Sequence, residues 1–193
     1  MPEPESLYTI CYTSGTTGDS KEVKISHENI VAMVSGVNYE KVFSNKDVCY
    51  SYLPLSHMAE RAFLGNSYAK GTKIGFFSGS LTRIREDLKL LRPTIFSTVP
   101  RILQKHAAAI KQEFNNQGAL MKKVIDYAIK TKLHYLKRNF YTHELFDFFI
   151  FNQVRESLGG RVKLITTGAA PIEPETLDFL KVCFCCPIIE GYG

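Results

Sequence analysis

The chain has 193 residues, enough for one large domain or for a piece of a bigger one. Hydrophobic residues make up 45% of it and charged residues 22%, which excludes wholesale disorder and indicates a globular protein with a real core. The net charge of +5 comes from lysines and arginines spread along the chain, so it suits anionic small molecules or an acidic membrane surface and gives no specific sign of nucleic-acid binding.

Short β-branched or aromatic runs alternate along the chain with longer runs of helical period. LYTICYT (7–13) predicts a buried strand, ended by the glycine-rich loop TSGTTGDSK. Ser26 is placed to cap a helix with Ile30, Val31 and Val34 on one face. Further strands are predicted at 23–26, 47–54, 72–78, 94–100, 161–168 and 186–193, and further helices at 56–71, 82–92, 103–114, 119–138, 143–158 and 173–183.

Two of these helices have unusual side chains. The helix at 119–138 is amphipathic, with Leu120, Val124 and Ala128 predicted on its apolar side. Its lysines Lys122, Lys123 and Lys130 are expected to form a solvated face, with binding of coenzyme A phosphate or lipid headgroups as the alternative. The next helix contains LFDFFIF (145–151), which predicts a buried helix face, with contact to one leaflet of a membrane as the alternative.

Alternating strands and helices predict an α/β fold, with a mainly parallel sheet flanked by helices and right-handed crossovers. Ligands of such sheets bind where loops leave the carboxyl ends of the strands. The loops expected to share one rim are 13–21, 53–57, 98–101, 167–171 and 190–193.

The loop TSGTTGDSK has two interpretations. A polar hairpin turn explains its composition. A polyphosphate site explains it too, because glycine backbones can expose successive N–H groups to an anion while hydroxyls and a lysine add donors and charge. The spacing differs from the common P-loop, G-x-x-x-x-G-K-[ST]. The candidate phosphate ligands are Thr13, Ser14, Gly15, Thr16, Thr17, Gly18 and Lys21.

Three further candidates lie at other strand ends. His57 in YLPLSHMAE is either a structural histidine or a donor to a carboxylate at the rim. The small residues Gly168, Ala169 and Ala170 either pack tightly or let a flat ring approach the backbone. Tyr192 in EGYG is either a core tyrosine or a platform for a base.

The five cysteines include no C-x-x-C pair, which argues against a disulfide framework or a zinc site and predicts reduced, mostly buried thiols in an intracellular compartment. No apolar run approaches the roughly 20 residues that span a bilayer. The N-terminus lacks the pattern of a signal peptide.

Four motifs in this order resemble those of the adenylate-forming enzymes that bind AMP, and among them the long-chain fatty acyl-CoA synthetases. YTSGTTGDSKEVKISH is similar to that family's nucleotide-phosphate signature, although Ser20 and Glu22 stand where the family usually has Pro and Gly. YLPLSHMAER, PTIFSTVPRIL and LGGRVKLITTGAAPI followed by EGYG are similar to the family's later blocks. The resemblance spans nearly the whole chain.

The resemblance implies ATP-dependent activation of a long-chain fatty acid to acyl-AMP and then to acyl-CoA, with ATP, Mg²⁺ and coenzyme A. The loop residues from Thr13 to Gly18, with Lys21, would hold phosphates. Lys21 and His57 would be the catalytic residues, with His57 near the junction of acyl group and phosphate. Gly168, Ala169, Ala170 and Tyr192 would frame adenine.

The resemblance also implies that residues 1–193 are part of the large AMP-binding domain, without the magnesium-binding residues and the small C-terminal domain. No metal ligand is therefore expected in this chain. The alternative is a truncated, non-catalytic fragment that binds nucleotide or partners. An amino-acid-activating domain is disfavoured by PTIFSTVPR and LSHMAER. No specific protein partner is expected. The location implied is cytoplasmic, or peripheral on the membrane of the endoplasmic reticulum, a peroxisome or a mitochondrion.

Overall fold

The computed structural model describes residues 1–13, 21–39 and 42–191. The chain divides into two compact units, one of Met1–Asp47 and Ser51–Ile74, the other of Val48–Tyr50 and the chain from Gly75 onward. The strands of the described residues are β1 (Leu7–Thr13), β2 (Lys21–Ser26), β3 (Val48–Ser51), β4 (Lys73–Phe76), β5 (Ile95–Thr98), β6 (Leu164–Gly168) and β7 (Ile188–Gly191). The helices are α1 (His27–Tyr39), α2 (Met58–Lys70), a 3₁₀ turn (Leu81–Arg83), α3 (Ile84–Leu91), α4 (Pro100–Asn115), α5 (Ala119–Leu136), α6 (Glu144–Phe146), a π-helical segment (Asp147–Phe151), α7 (Asn152–Glu156) and α8 (Pro174–Phe184).

The first unit begins with an antiparallel pair of strands. β1 and β2 form a two-stranded sheet in which Thr13 is the partner of Lys21. The prediction of a buried strand at 7–13 is wrong, because its described side chains are exposed or half-buried and Tyr12 is 65% exposed. The apolar content of a strand predicts that it is extended, but burial also requires elements packed on its faces.

The predicted cap of α1 is confirmed. The backbone N–H of Asn29 donates to the Ser26 hydroxyl at 3.2 Å, and the N–H of Ser26 donates to the Asn29 side-chain oxygen at 3.0 Å. This reciprocal pair satisfies two backbone donors at the start of the helix, as a capping box does. α1 then packs closely on α2, since a Cβ added to Gly65 would lie 3.2 Å from Val34 Cγ2.

A five-stranded sheet with the order β4-β3-β5-β6-β7 confirms the predicted α/β class. The pairs β3–β5, β5–β6 and β6–β7 are parallel. Its central residues Ile95, Phe96 and Ile165 have no exposed surface. Helices lie in the chain between the strands of each parallel pair: α2 and α3 between β3 and β5, α4 to α7 between β5 and β6, and α8 between β6 and β7.

α5 forms as predicted, but the side of the helix that is buried differs from the predicted one. Its buried residues are Ile125, Ala128 and Lys132, whereas Leu120 is 79% exposed and Val124 is 43% exposed. The spacings of 3 and 4 from Ile125 to Lys132 describe a helix face as regular as the one predicted. A lysine was not expected on that face because a buried charge needs partners that a local pattern does not reveal.

The helix predicted at 143–158 is divided into α6, the π-helical segment and α7. The prediction of a buried face at 145–151 is wrong, since Phe148 is 72% and Phe149 75% exposed. Phe151, by contrast, is fully buried. A π-helical turn contains more residues than an α-helical turn, so it rotates the side chains around the helix axis. Phe148 and Phe149, which were predicted to be buried, therefore point outward.

All five cysteines lie among the described residues and are free thiols. Cys183, Cys185 and Cys186 are buried at the end of α8 and Cys49 is buried in β3, which confirms the prediction of mostly buried thiols. Burial raises the pKa of the Cys185 thiol to about 11 and that of Cys186 to about 12. In the described part of the chain, no helix has the length and apolar character to cross a bilayer.

Candidate active site

The glycine-rich loop connects the two strands of a hairpin. Its residues Ser14, Gly15, Thr16, Thr17 and Gly18 lie outside the described residues, as does the side chain of Thr13. What the structure describes is the base of the loop, where Thr13 pairs with Lys21 across the two strands. A polar hairpin turn and a phosphate-binding loop would both connect two extended segments, so this pairing does not distinguish between them. The phosphate site therefore stays a prediction.

Glu22 has a partner on the neighbouring strand. The Tyr12 hydroxyl donates to its carboxylate at 3.1 Å, and Tyr12 and Glu22 are partners in the register of the hairpin. Successive side chains of a strand point to opposite faces, so Lys21 and Glu22 extend away from each other. Glu22 therefore lies on the same face of the hairpin as Tyr12. The exposed Lys21 side chain extends from the opposite face.

His57 is exposed and stands at the N-cap of α2, where its carbonyl oxygen accepts the N–H of Glu60 at 3.1 Å. The segment that precedes it is fixed by the first turn of the helix. The Ser51 hydroxyl donates to the Glu60 carboxylate at 2.5 Å, and Arg61 Nε donates to the Leu55 carbonyl at 2.5 Å.

Glu60 is not among the candidate residues predicted from the sequence. It has no exposed surface, and its second carboxylate oxygen has no partner among the described residues. Burial raises the pKa of Glu60, while hydrogen bonds from Ser51 and the backbone of Leu53 oppose that shift. Its position three residues after His57 is a capping-box position, which is the sequence signal that could have identified it.

Three of the four predicted adenine residues lie at the carboxyl end of β6 in the second unit, namely Gly168, Ala169 and Ala170. β5, β6 and β7 end side by side, with Thr98 opposite Thr167 and Gly168 opposite Gly191. A Cβ added to Gly168 would lie 2.8 Å from the Gly191 carbonyl oxygen, so only glycine allows the two strands to come this close.

The loop after β6 has an unusual backbone. Ala169 has φ +75°, a conformation that L-residues adopt at a cost of about 1 kcal/mol. Ala169 and Ala170 are exposed, and the N–H of Ile172 donates to Glu190 of β7 at 3.0 Å. This contact holds the loop against the neighbouring strand end. Tyr192, the last predicted residue of the set, lies outside the described residues.

The candidate residues are thus divided between the two units. Lys21 and His57 belong to the first, and Gly168, Ala169 and Ala170 to the second. Among residues 1–13, 21–39 and 42–191, no group of three or more His, Cys, Asp and Glu side chains is arranged to hold a metal ion.

The family of the chain follows from comparison with known proteins. The sequence profile described as AMP-binding enzyme matches residues 1–193. The chain therefore belongs to the AMP-binding enzyme family.

Its relatives define a narrower group. The chain is 39% identical over 192 residues to the peroxisomal long chain acyl-CoA synthetase 7 of Arabidopsis thaliana, covering 100% of the chain and 27% of that protein. It is 40% identical over 197 residues to long-chain-fatty-acid–CoA ligase 5 of Mus musculus, covering 100% of the chain and 29% of the relative. The chain thus spans less than a third of the length of these relatives.

Solved structures support the fold. The adenylation domain of a carboxylate reductase from Mycobacterium chelonae matches with a TM-score of 0.73 at 26% identity, covering 99% of this chain and 27% of that one. A didomain of the carboxylic acid reductase from Segniliparus rugosus, solved in complex with AMP, matches with a TM-score of 0.71 at 26% identity, covering 98% of this chain and 24% of that one.

Proposed function

We propose that the chain is part of an enzyme that activates a long-chain fatty acid with ATP and transfers the acyl group to coenzyme A. The observation that carries this proposal is identity of about 40% to long-chain acyl-CoA synthetases over the whole chain. The match to the AMP-binding family supports adenylation as the first step. Residues 1–193 would then be part of the AMP-binding domain of that enzyme.

The proposed reaction has two steps. A carboxylate oxygen of the fatty acid attacks the α-phosphorus of ATP, forming acyl-AMP and releasing pyrophosphate. The thiolate of coenzyme A then attacks the acyl carbonyl carbon, forming the thioester and releasing AMP. Both reactants of the first step are anions, so the enzyme has to offset their repulsion and hold them in line.

The residues are assigned to these needs as a hypothesis. Thr13, Ser14, Gly15, Thr16, Thr17, Gly18 and Lys21 would bind the phosphates, and the exposure of Lys21 leaves its ammonium available for that role. His57 would lie near the junction of acyl group and phosphate. Gly168, Ala169, Ala170 and Tyr192 would frame the adenine ring.

Mg²⁺ is expected to enter with ATP as part of the substrate. The described residues do not offer a carboxylate cluster that fits it, so no step is assigned to a metal.

Exchange of labelled pyrophosphate into ATP, dependent on added fatty acid, tests the first step in the longest polypeptide that contains this chain. A panel with amino acids in place of fatty acids separates the proposal from an amino-acid-activating enzyme. Lys21→Ala is expected to lower the exchange rate about 10²-fold, as loss of a charge-stabilising donor does. Lys24→Ala, on the same strand, is the matched control and should leave the rate unchanged. Equal rates for Lys21→Ala and the unmodified protein would show that Lys21 is not part of the phosphate site.

The second candidate is that residues 1–193 bind nucleotide or a partner without catalysing a reaction. In that case the 193 residues alone bind Mg²⁺ATP weakly or not at all and form no acyl-CoA. Acyl-CoA formation by the purified 193-residue chain would exclude this candidate.

A further inference from the structure

The segment that carries His57 is held in place by polar contacts. It runs from Ser51 to the start of α2, and its last four side chains, from Pro54 to His57, are exposed. Apolar packing therefore contributes little to the position of these four residues, and hydrogen bonds decide it. The N–H of His57 donates to the Pro54 carbonyl at 2.9 Å, and the His57 carbonyl accepts the N–H of Glu60 at 3.1 Å.

The first turn of α2 binds this segment at alternate residues. Glu60 accepts hydrogen bonds from the Ser51 hydroxyl and from the backbone of Leu53. Arg61, the next residue of the helix, donates from Nε to the Leu55 carbonyl at 2.5 Å. The contact nearest the helix start is thus made by a half-buried guanidinium, and the two before it by a buried carboxyl.

Arg61 makes a second contact, which lies outside the segment. Its Nη1 donates to the hydroxyl of Thr9 in β1, 52 positions earlier in the chain. A guanidinium presents its N–H groups in a rigid planar fork, so it can serve two acceptors at once, whereas a lysine ammonium is a point charge on a flexible stem. Hydrogen bonds from a charged donor are also about twice as strong as those between neutral groups.

Thr9 stands on the same face of the β1–β2 hairpin as Lys21. In the register of the hairpin Thr9 is the partner of Ile25, and cross-strand partners share a face. Side chains alternate along β2, so Ile25, Val23 and Lys21 extend from that face. Arg61 therefore binds the face of the hairpin from which Lys21 extends, about 14 Å along β2 from Ile25.

We propose that Arg61 is a positioning residue that fixes the two candidate catalytic residues, Lys21 and His57, relative to each other. Its Nε holds the carbonyl two residues before His57, and its Nη1 holds the strand pair that carries Lys21. The inference rests on the proposed function, in which both residues act on one substrate. In such a reaction a displacement of about 1 Å can lower the rate up to about 10²-fold.

Arg61→Lys, in the longest polypeptide that contains this chain, tests the role in the reaction. The ammonium keeps the charge but reaches only one of the two acceptors, so kcat of fatty-acid-dependent pyrophosphate exchange should fall about tenfold. The KM for ATP should change by less than about twofold, because the other loop residues still bind the phosphates. Arg138→Lys, at an exposed position after α5, is the matched control and should leave both constants unchanged.

Thr9→Val approaches the same contact from its other side. It removes the hydroxyl that accepts from Arg61 and keeps a β-branched side chain in the strand. The kcat should fall about threefold, as the loss of one hydrogen bond does. Thr9→Val combined with Arg61→Lys should cost no more than Arg61→Lys alone, because the two substitutions break one shared contact. An unchanged kcat for Thr9→Val would overturn the proposal.

A double-mutant cycle with His57→Ala separates positioning from a general loss of stability. If Arg61 acts through His57, Arg61→Lys lowers kcat in the unmodified protein and has no further effect in the His57→Ala protein. Equal losses in both backgrounds would mean that Arg61 acts independently of His57, and the proposal would be wrong. An unchanged kcat for His57→Ala would contradict it as well.

Amide hydrogen exchange without substrate keeps this inference separate from the proposed function. Thr9→Val should speed exchange of the His57 amide at least about twofold, although the substituted residue lies in β1, and should leave the amides of α4 unchanged. Unchanged exchange at His57 would refute the coupling whatever the activity. If this effect is present but the unmodified polypeptide exchanges no pyrophosphate with fatty acid, the proposed function fails and the coupling of the two segments is supported.

Discussion

Each of the two units contains a buried ionisable side chain in a helix, and the two differ in how fully they are partnered. Lys132 of α5 is 1% exposed, and its three N–H groups match three acceptors: Asp147, the Val182 carbonyl at 2.9 Å and the Cys185 sulfur at 3.0 Å. Glu60 of α2 is 0% exposed, and one of its two carboxylate oxygens has no partner among the described residues.

The difference indicates different roles. A buried charge with every donor satisfied holds elements together, and Lys132 joins α5 to the π-helical segment and to the end of α8. A buried carboxyl with an open oxygen is less completely stabilised, and such groups need an explanation in a folded protein. Glu60 lies one helical turn from His57, a candidate site residue, and its hydrogen bonds hold the segment that leads there.

The largest expected effect is that of Lys132→Met, which leaves the Asp147 carboxylate buried without its cation. We expect a loss of about 3–5 kcal/mol in the free energy of unfolding, measured by urea denaturation. Lys130→Met is the matched control on the exposed side of α5 and should change stability by less than about 0.5 kcal/mol.

The double substitution Lys132→Met with Asp147→Leu distinguishes a lost ion pair from lost packing. Removal of both charges should recover about 2 kcal/mol relative to Lys132→Met alone, because no unpaired charge remains in the interior. A single substitution that costs less than about 1 kcal/mol would mean that Lys132 reaches solvent, and its contrast with Glu60 would no longer hold.

His106 is a third case beside Lys132 and Glu60, because it is a mostly buried ionisable group that remains neutral. Its ring meets Phe184 edge to face at 5.9 Å, and burial, with a smaller contribution from Arg85, lowers its pKa to about 4. Between pH 6.5 and 4 the unfolded chain binds a proton at this residue that the folded chain does not. Stability from His106 is therefore present above pH 6.5 and lost as the pH falls toward 4.

We expect this residue to account for about 2 kcal/mol of stability lost between pH 7 and pH 4.5. His106→Leu should make the urea midpoint correspondingly less dependent on pH over that window. If the pH dependence of His106→Leu matches that of the unmodified protein, His106 has the same pKa in the folded and unfolded chain, and burial does not lower it.

The order and type of elements could be predicted from the sequence, because strand and helix signals are local. The cap at Ser26 and the parallel sheet followed from spacing and composition and are confirmed. The phase of α5 and the exposure of Phe148 and Phe149 could not be predicted, since both depend on the Lys132–Asp147 pair, which joins residues of two different segments.

The candidate site was predictable to a different extent at each position. At Gly168 the structure shows tight packing, one of its two interpretations, because a Cβ there would lie 2.8 Å from the Gly191 carbonyl oxygen; its role in framing adenine stays a prediction. Glu60 was missed because its capping-box position marks only the start of a helix, whereas its burial depends on contacts with Ser51 and Leu53 of the preceding segment. The roles of Lys21, His57 and the loop residues between Thr13 and Gly18 stay predictions.

The smallest expected effect is that of Glu60→Gln, which removes the charge but keeps an oxygen for Ser51 and Leu53. At pH 7 the free energy of unfolding should change by no more than about 1 kcal/mol. Because the pKa of Glu60 is raised in the folded state, its contribution to stability is present below pH 4.5 and declines as the pH rises through the folded pKa.

The glutamine has no such decline, so the stability of Glu60→Gln relative to the unmodified protein should increase from pH 4 to pH 8 in urea titrations. Glu60→Ala is the informative control, since loss of the acceptor for Ser51 and Leu53 should cost about 1–3 kcal/mol at both pH values. A cost for Glu60→Gln as large as that of Lys132→Met would show that the carboxylate is charged and fully partnered. Glu60 would then be a structural ion like Lys132, and its open oxygen would not mark a functional position.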